Sequence, residues 1–224
     1  MDERKSLIST DDPEVLYLKN RDKRLAVVIN HIGSIECNKH GDSFAFIVEE
    51  IVGQMLSNKV ADVICDRLLQ LCGGVLSVES LSAKSINDLR SIGISKAKSQ
   101  YILLFAEAVK NHDIDLDELA DLPDKKVMER LMSLRGIGSW TAKMYLLFVL
   151  NRPDVLPYED GAFQQSFAWL YGCNHKPTRE EMERKCKKWK PHSSLATRYL
   201  YRALDMGLTK KEFHLRSGII DRKV

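Results

Sequence analysis

Apolar residues recur at helical spacing along almost the whole chain, and this periodicity restricts the fold more than any other feature. One run carries them at Phe44, Ile47, Ile51, Met55 and Leu56, and the next at Val60, Val63, Ile64, Leu68 and Leu71. Side chains spaced by three and four residues share one face of an α-helix. No stretch alternates apolar and polar residues as a half-buried strand does. The pattern predicts an all-α fold.

Length and composition restrict the class of protein. A chain of 224 residues with 44% hydrophobic and 29% charged residues is typical of one large globular domain or two small lobes. Its longest apolar run, residues 144–150, is far shorter than the about 20 residues that span a bilayer. The start, Met-Asp-Glu-Arg-Lys, lacks the apolar core of a signal peptide. We therefore expect no membrane association.

The cysteines argue against several kinds of site. Their number is odd and no pair has the CxxC spacing; they are Cys37, Cys65, Cys72, Cys173 and Cys186. This pattern disfavours a disulfide framework, a zinc site and an iron–sulfur cluster. We expect free thiols and no required cofactor.

Positive charge is concentrated in one segment. The net charge is only +3, but residues 176–190 hold seven basic and three acidic side chains, a local balance of 7 − 3 = +4. Such a run is either a solvated helix face or a surface for nucleic acid. Replacing Lys185, Lys187 or Lys188 with Glu should weaken DNA binding if the second interpretation holds.

Two glycines lie between predicted helices in residues 134–142, which read Leu-Arg-Gly-Ile-Gly-Ser-Trp-Thr-Ala. Glycine permits a tight turn, and the backbone amides that begin a helix are a natural phosphate site. A plain helix–helix turn is the alternative. Residues 89–95, Leu-Arg-Ser-Ile-Gly-Ile-Ser, repeat part of the pattern, although so short a match can arise by chance.

A rigid acidic connection follows the hairpin. Residues 153–161 read Pro-Asp-Val-Leu-Pro-Tyr-Glu-Asp-Gly and lead into an apolar helix. Asp160 can simply cap that helix through its first amides. Placed beside a nucleotide, the same carboxylate could stabilise an oxocarbenium-like sugar and orient water.

Two further polar interruptions are candidate sites. Gln54 and the pair Ser57-Asn58 break an apolar helix, either as a helix end or as a functional loop. Trp189-Lys190-Pro191 forms a corner before another helix, and its tryptophan could equally be part of the core.

Taken in order, these segments resemble the helix-hairpin-helix DNA glycosylase superfamily, and most of all its 3-methyladenine DNA glycosylase II branch. The similarity extends from about residue 31 to residue 201 and is specific as a set: hairpin, Asp160, the Gln54 helix and the Trp189 corner. It implies two helical lobes around a central cleft, one at 35–125 and the other at 1–34 plus 126–224. Because only about thirty residues precede the matched region, we expect no counterpart of the extra N-terminal sheet domain of some relatives.

The resemblance also assigns roles. Asp160, not Glu159 or Asp154, matches the catalytic aspartate. Met55, or next Leu56, beside Gln54 matches the apolar wedge that fills the emptied base stack. The hairpin would grip DNA phosphates through Gly136, Ile137, Gly138, Ser139 and Thr141, and could hold Na+ or K+ on the carbonyls of Met132, Leu134 and Ile137.

Trp140 implies the type of reaction. Bifunctional relatives place a nucleophilic lysine at this position, where it can form a Schiff base with the sugar. Tryptophan cannot, and Lys143 should lie elsewhere on the helix, at the surface. The resemblance thus implies a monofunctional enzyme of base excision repair that hydrolyses the glycosidic bond and leaves an abasic site.

The implied substrate is an alkylated purine, such as 3-methyladenine or 7-methylguanine, flipped out of duplex DNA. Alkylation makes the purine cationic, so that an aromatic pocket would attract it. Trp140, Tyr158 and His192 could form that pocket, or could be core. His192-Ser193 and Gly161-Ala162-Phe163 depart from the family pattern, which weakens a carried-over base contact at the corner and suggests a different pocket shape.

Alternatives are a glycosylase for another lesion and a non-catalytic DNA-binding module. We expect a monomer acting on damaged double-stranded DNA, in the cytoplasm with the nucleoid if bacterial and in the nucleus if eukaryotic.

Overall fold

A computed structural model describes residues 5–38 and 40–213, and the predicted all-α fold is confirmed. The helices are α1 (Pro13–Arg21), α2 (Lys23–Ile32), α3 (Ser43–Gly53), α4 (Asn58–Leu71), α5 (Val78–Ser82), α6 (Ile86–Ser91), α7 (Lys96–Lys110), α8 (Asp124–Met132), α9 (Ser139–Phe148), α10 (Gly161–Tyr171), α11 (Arg179–Cys186) and α12 (Ser193–Asp205). Single 3-10 turns lie at Glu118–Asp121, Lys187–Trp189 and Leu208–Lys210.

One small sheet was not predicted. Strand β1 (Lys5–Ile8) pairs antiparallel with β2 (Ile35–Asn38), and Ile8 lies opposite Ile35. Each strand has only four residues, too few for an alternating pattern to stand out in the sequence. The sheet joins the two ends of the α1–α2 pair and leaves the fold class unchanged.

The chain divides into two compact units. Within the described residues, unit 1 comprises 40–150, and unit 2 comprises 5–38 together with 151–213. The boundaries differ from the expected lobes at two places: residues 35–38 belong to unit 2, and residues 126–150 belong to unit 1, where α9 packs against α3 and α8. The hairpin and Asp160 therefore lie in different units, and the expected cleft between lobes remains a prediction.

Unit 1 is built around α3, α7 and α9. Asp42 caps α3 by accepting hydrogen bonds from the amides of Phe44 and Ala45, both at 2.9 Å. The rings of Phe44 and Phe105 stack at 5.2 Å between centroids. Helix α9 is buried over most of its surface, as its apolar sequence predicted. In contrast, three residues predicted to continue the apolar faces are exposed, namely Val60, Val63 and Met132.

Unit 2 has a core of aromatic and aliphatic side chains from α1, α2, α10 and α12. Trp189, Phe163, Phe167 and Tyr199 are completely buried there. Trp189 is thus a core residue, the simpler of its two interpretations. Burial of several large aromatic residues is the main stabilising contribution to such a core.

A buried carboxylate accepts hydrogen bonds from several parts of this core. Asp22 is 1% exposed and caps α2 through the amides of Arg24 and Leu25. Its second oxygen accepts from the Tyr171 hydroxyl at 2.5 Å and the Trp189 indole at 2.9 Å, and lies 3.0 Å from the Lys188 ammonium. Burial alone would raise the pKa of Asp22, but these hydrogen bonds outweigh burial and lower it.

None of the helices in the described part of the chain is long and apolar enough to span a membrane.

Candidate active site

The glycine hairpin between α8 and α9 is a tight turn anchored by one apolar side chain. Ile137 is buried, and its amide donates to the carbonyl of Leu134 at 3.2 Å. Helix α9 then begins, with the amide of Ala142 bonded to the carbonyl of Gly138 at 3.1 Å. The turn is followed by the first backbone amides of α9, those of Ser139 and its neighbours. The start of a helix is where anions bind most readily.

The two glycines serve different purposes. Gly136 has φ +92°, and a Cβ there would lie 2.3 Å from the ring Cγ of Tyr101. No other residue fits that space. Gly138 has an extended backbone, with φ −98° and ψ −178°, and a Cβ there would meet nothing within 4 Å. Gly136 is therefore required by packing, whereas Gly138 keeps the exposed backbone open to an approaching group.

This difference predicts opposite effects of two alanine substitutions. Gly136→Ala should lower stability by at least about 2 kcal/mol, because the methyl group collides with Tyr101 and the positive φ is strained. That loss should appear as a melting temperature lower by roughly 5 °C. Gly138→Ala should melt like the wild type but bind duplex DNA more weakly. Equal melting losses in both variants would contradict this account.

Gln54 braces the hairpin. Its side-chain amide donates to the carbonyl of Gly136 at 3.0 Å and to the hydroxyl of Thr141 at 3.3 Å. Thr141 is buried, so its hydroxyl serves this internal bond. The predicted contact of the hairpin with phosphates, through Gly136, Ile137, Gly138, Ser139 and Thr141, remains a prediction, and the Thr141 hydroxyl already has this internal partner.

Lys98 holds the loop that carries Gln54. Its ammonium donates to the carbonyls of Val52 at 2.8 Å and Gln54 at 2.6 Å, at the end of α3. Partial burial lowers the pKa of Lys98. A positive group at the last carbonyls of a helix interacts favourably with the helix dipole. The loop after α3 is therefore fixed on one side by Lys98 and on the other by the hairpin.

The predicted wedge residues lie on that fixed loop. Met55 has a left-handed backbone, with φ +58°, and its side chain is fully exposed (101%). Leu56 is 37% exposed. A strained backbone that presents an apolar side chain to solvent is uncommon and often has a functional reason. The geometry supports Met55 over Leu56 as the wedge, which remains a prediction.

Asp160 caps α10 and remains partly exposed. Its Oδ1 atom accepts from the Phe163 amide at 2.6 Å and from the Tyr201 hydroxyl at 2.9 Å. The capping interpretation is thus confirmed. It does not exclude catalysis, because the side chain is only half-buried and the positive end of a helix dipole favours a negative charge.

The three predicted pocket residues are not brought together within one unit. Trp140 is half-buried on α9 in unit 1, whereas Tyr158 and His192 belong to unit 2. Tyr158 packs edge-on against Phe163, and the guanidinium of Arg179 lies 5.2 Å from its ring centroid. Burial raises the pKa of Tyr158 to about 12. One cation already contacts this ring, which weakens the case for Tyr158 as a base platform.

His192 also has a packing role. It lies immediately before α12, and its ring meets that of Tyr17 edge-on at 5.2 Å between centroids. The pocket as a whole remains a prediction.

The basic segment is only partly available to DNA. The charge of Lys188 pairs with buried Asp22, and the ammonium of Lys185 lies 4.5 Å from the ring centroid of Tyr171. Lys190 pairs with Asp154 at 3.2 Å. Changing Lys188 to Glu would disturb the core, so exposed Lys187 is the residue whose replacement tests DNA contact without that complication.

No group of three His, Cys, Asp or Glu side chains that could hold a metal ion occurs within residues 5–38 and 40–213. The predicted Na+ or K+ would use backbone carbonyls, and one of these, that of Leu134, already accepts the Ile137 amide. The cation remains a prediction.

Sequence reasoning missed three residues of this arrangement: Tyr201, Lys98 and Asp22. Each acts on a partner far away in the chain, at separations of 41, 44 to 46 and up to 167 residues. Periodicity carries no information on such pairs. In the sequence, each is only a polar side chain within a helix or at its start.

The fold and the braced hairpin define a helix-hairpin-helix protein. Residues 48–192 match the family described as "HhH-GPD superfamily base excision DNA repair protein", and the chain belongs to this superfamily. The predicted resemblance is therefore confirmed.

Several relatives share most of the chain. An alkylbase DNA glycosidase-like protein of Schizosaccharomyces pombe is 27% identical over 191 residues, 83% of this chain and 90% of the relative. A solved DNA-3-methyladenine glycosidase from Bacillus halodurans has a TM-score of 0.80 and 34% identity, covering 94% and 97% of the two chains. The 3-methyladenine DNA glycosylase of Schizosaccharomyces pombe, solved with abasic DNA, shares the fold with a TM-score of 0.81 at 24% identity, over 87% and 97%.

Proposed function

We propose that this chain is a monofunctional DNA glycosylase of base excision repair that releases alkylated purines from duplex DNA. The observation that carries the proposal is the partly exposed carboxylate of Asp160 at the start of α10, in a chain of the base excision repair superfamily. Relatives of similar length are named for alkylbase and 3-methyladenine glycosylase activity, which supports the choice of reaction.

The proposed cleavage of the glycosidic bond needs little from the protein beyond a negative charge held in a fixed position. In an N3- or N7-alkylated purine nucleotide the C1′–N bond breaks, and its electron pair leaves with the base and neutralises the positive charge there. Positive charge moves onto the sugar, where the Asp160 carboxylate would stabilise it. Water then adds its oxygen to C1′ and gives up a proton, leaving an abasic site.

Strand cleavage is not part of the proposed reaction. Trp140 stands at the second residue of α9, where a lysine would be needed to attack the sugar. Treatment with borohydride during turnover should therefore trap no covalent complex between protein and DNA.

The remaining parts would hold the DNA. The backbone at Gly138 and Ser139 would bind phosphates, and Met55 would replace the extruded base in the stack. One chain supplies all these parts, so we infer that the enzyme acts as a monomer. It would work where DNA is found, at the nucleoid in a bacterium or in the nucleus of a eukaryote.

A panel of lesions tests the proposal. Duplexes that contain 3-methyladenine, 7-methylguanine, uracil, 8-oxoguanine or a mismatch are incubated with the purified protein, and released bases are identified by mass spectrometry. We expect release of the methylated purines with abasic sites in equal number. Release of an oxidised or deaminated base instead would assign another lesion. Binding without any release would favour a non-catalytic DNA-binding module.

A further inference from the structure

Asp160 receives a hydrogen bond from a side chain that comes from a different helix. Tyr201 lies on α12, which packs against α10 in unit 2, and its ring is half-buried. Its hydroxyl donates to Oδ1 of Asp160 at 2.9 Å. This bond links residues 41 positions apart. It is not needed to cap α10, because Asp160 already caps that helix by accepting from the Phe163 amide at 2.6 Å.

The two donors together fix the orientation of the carboxylate. Two hydrogen bonds that reach one carboxylate oxygen from different helices restrict its orientation more than one bond does. Hydrogen bonds to an ionised carboxylate are among the stronger ones in proteins.

Helix α12 is rigidly attached to the segment that leads to Asp160. The Ser194 amide donates to the carbonyl of Pro153 at 3.0 Å, and the Val155 amide donates to the Ser194 hydroxyl at 2.9 Å. The neighbours of Tyr201 on the buried side, Leu200 and Ala203, are completely enclosed. The part of α12 that carries Tyr201 is therefore held in a fixed position relative to the segment that leads to Asp160.

We propose that Tyr201 is a positioning residue for Asp160, holding the carboxylate in the orientation that meets the sugar cation as the glycosidic bond breaks. This inference rests on the proposed glycosylase function. In this role the phenol acts through the carboxylate and not on the sugar itself. A preoriented charge stabilises the transition state without reorganising during the reaction, and loss of one such constraint is expected to slow base release roughly tenfold.

Tyr201→Phe tests the proposal, with Tyr199→Phe as the matched control. Tyr199 lies on the same helix and also donates its hydroxyl, but to the carbonyl of Gly33 at 3.2 Å. Both variants keep the ring and lose one hydrogen bond. Two quantities are measured: single-turnover release of methylpurine, and the ratio of affinities for duplexes carrying a cationic pyrrolidine or a neutral tetrahydrofuran in place of the damaged nucleotide.

We expect Tyr201→Phe to slow release roughly tenfold and to reduce the preference for the cationic analogue, with affinity for the neutral analogue unchanged. Tyr199→Phe should change neither quantity. In an Asp160→Asn background, Tyr201→Phe should have no further effect on the preference, because the group through which it acts is absent.

Two results would overturn the inference: a Tyr201→Phe enzyme with wild-type rate and preference, or a Tyr199→Phe enzyme with the same losses. Either result is compatible with the proposed glycosylase function, because the wild-type enzyme releases methylpurine in both cases. If the wild type itself releases no methylpurine, the proposed function fails, and the positioning role fails with it.

Discussion

Replacing Asp160 with Asn is expected to slow release of methylated purines by about 100-fold to 1000-fold, the usual effect of removing one preorganised electrostatic group. Asparagine caps helices nearly as well as aspartate, and its oxygen can still accept from the Phe163 amide. The variant should therefore fold normally and bind duplex DNA with near wild-type affinity. Single-turnover kinetics with enzyme in excess over methylated DNA separate the two effects.

Glu159→Gln provides the control for charge alone. Glu159 is the neighbouring carboxylate and is exposed, so this variant removes the same charge one residue away. It should retain the wild-type rate of release. If Glu159→Gln were as slow as Asp160→Asn, or if Asp160→Asn remained active, the role assigned to Asp160 would be wrong.

The second large effect concerns the stability of the fold. Asp22→Ala should lower the free energy of unfolding by about 3–5 kcal/mol, because it leaves the buried Trp189 indole and the Tyr171 hydroxyl without their acceptor and also removes the cap of α2. Urea denaturation measures the loss. Asp42→Ala is the control: Asp42 also caps a helix through two amides, but it is exposed, so only the cap is lost, at about 1 kcal/mol.

The same carboxylate predicts a dependence on pH. The pKa of folded Asp22 lies below the ordinary value of 3.8, so protonation favours unfolding. Its contribution is complete at pH values above the ordinary one and disappears as the pH falls through the lowered pKa. The stability difference between wild type and Asp22→Asn should therefore persist at neutral pH and shrink only in strong acid. Similar losses for Asp22→Ala and Asp42→Ala at pH 7 would contradict the network.

What could be predicted from the sequence was local. Helical periodicity and capping residues located α3, α7, α9 and α10, and Ser95 and Asp160 cap helices as expected. The hairpin was recognised from its two glycines, although only Gly136 needs a positive φ. Local patterns are informative here because helix faces and caps depend on residues within about four positions.

Tertiary contacts between distant parts of the chain could not be predicted from the sequence. Nothing local distinguishes Met132, which is exposed, from the buried Leu131 beside it. The bonds from Tyr201 to Asp160 and from Lys98 to the end of α3 join distant segments. Such bonds depend on how helices pack, and one sequence without related sequences contains no record of those contacts. The role of Asp160 came from the resemblance, and its second donor came only from the structure.

The proposed function depends most on contact between the Asp160 carboxylate and an extruded sugar, and a structure of the complex tests this directly. The protein would be crystallised with duplex DNA that carries a cationic pyrrolidine in place of the damaged nucleotide. We predict that the pyrrolidine lies outside the base stack with its nitrogen within about 4–6 Å of the Asp160 carboxylate, close enough for strong charge attraction. A pyrrolidine that stays within the duplex, or that binds away from Asp160, would contradict the account.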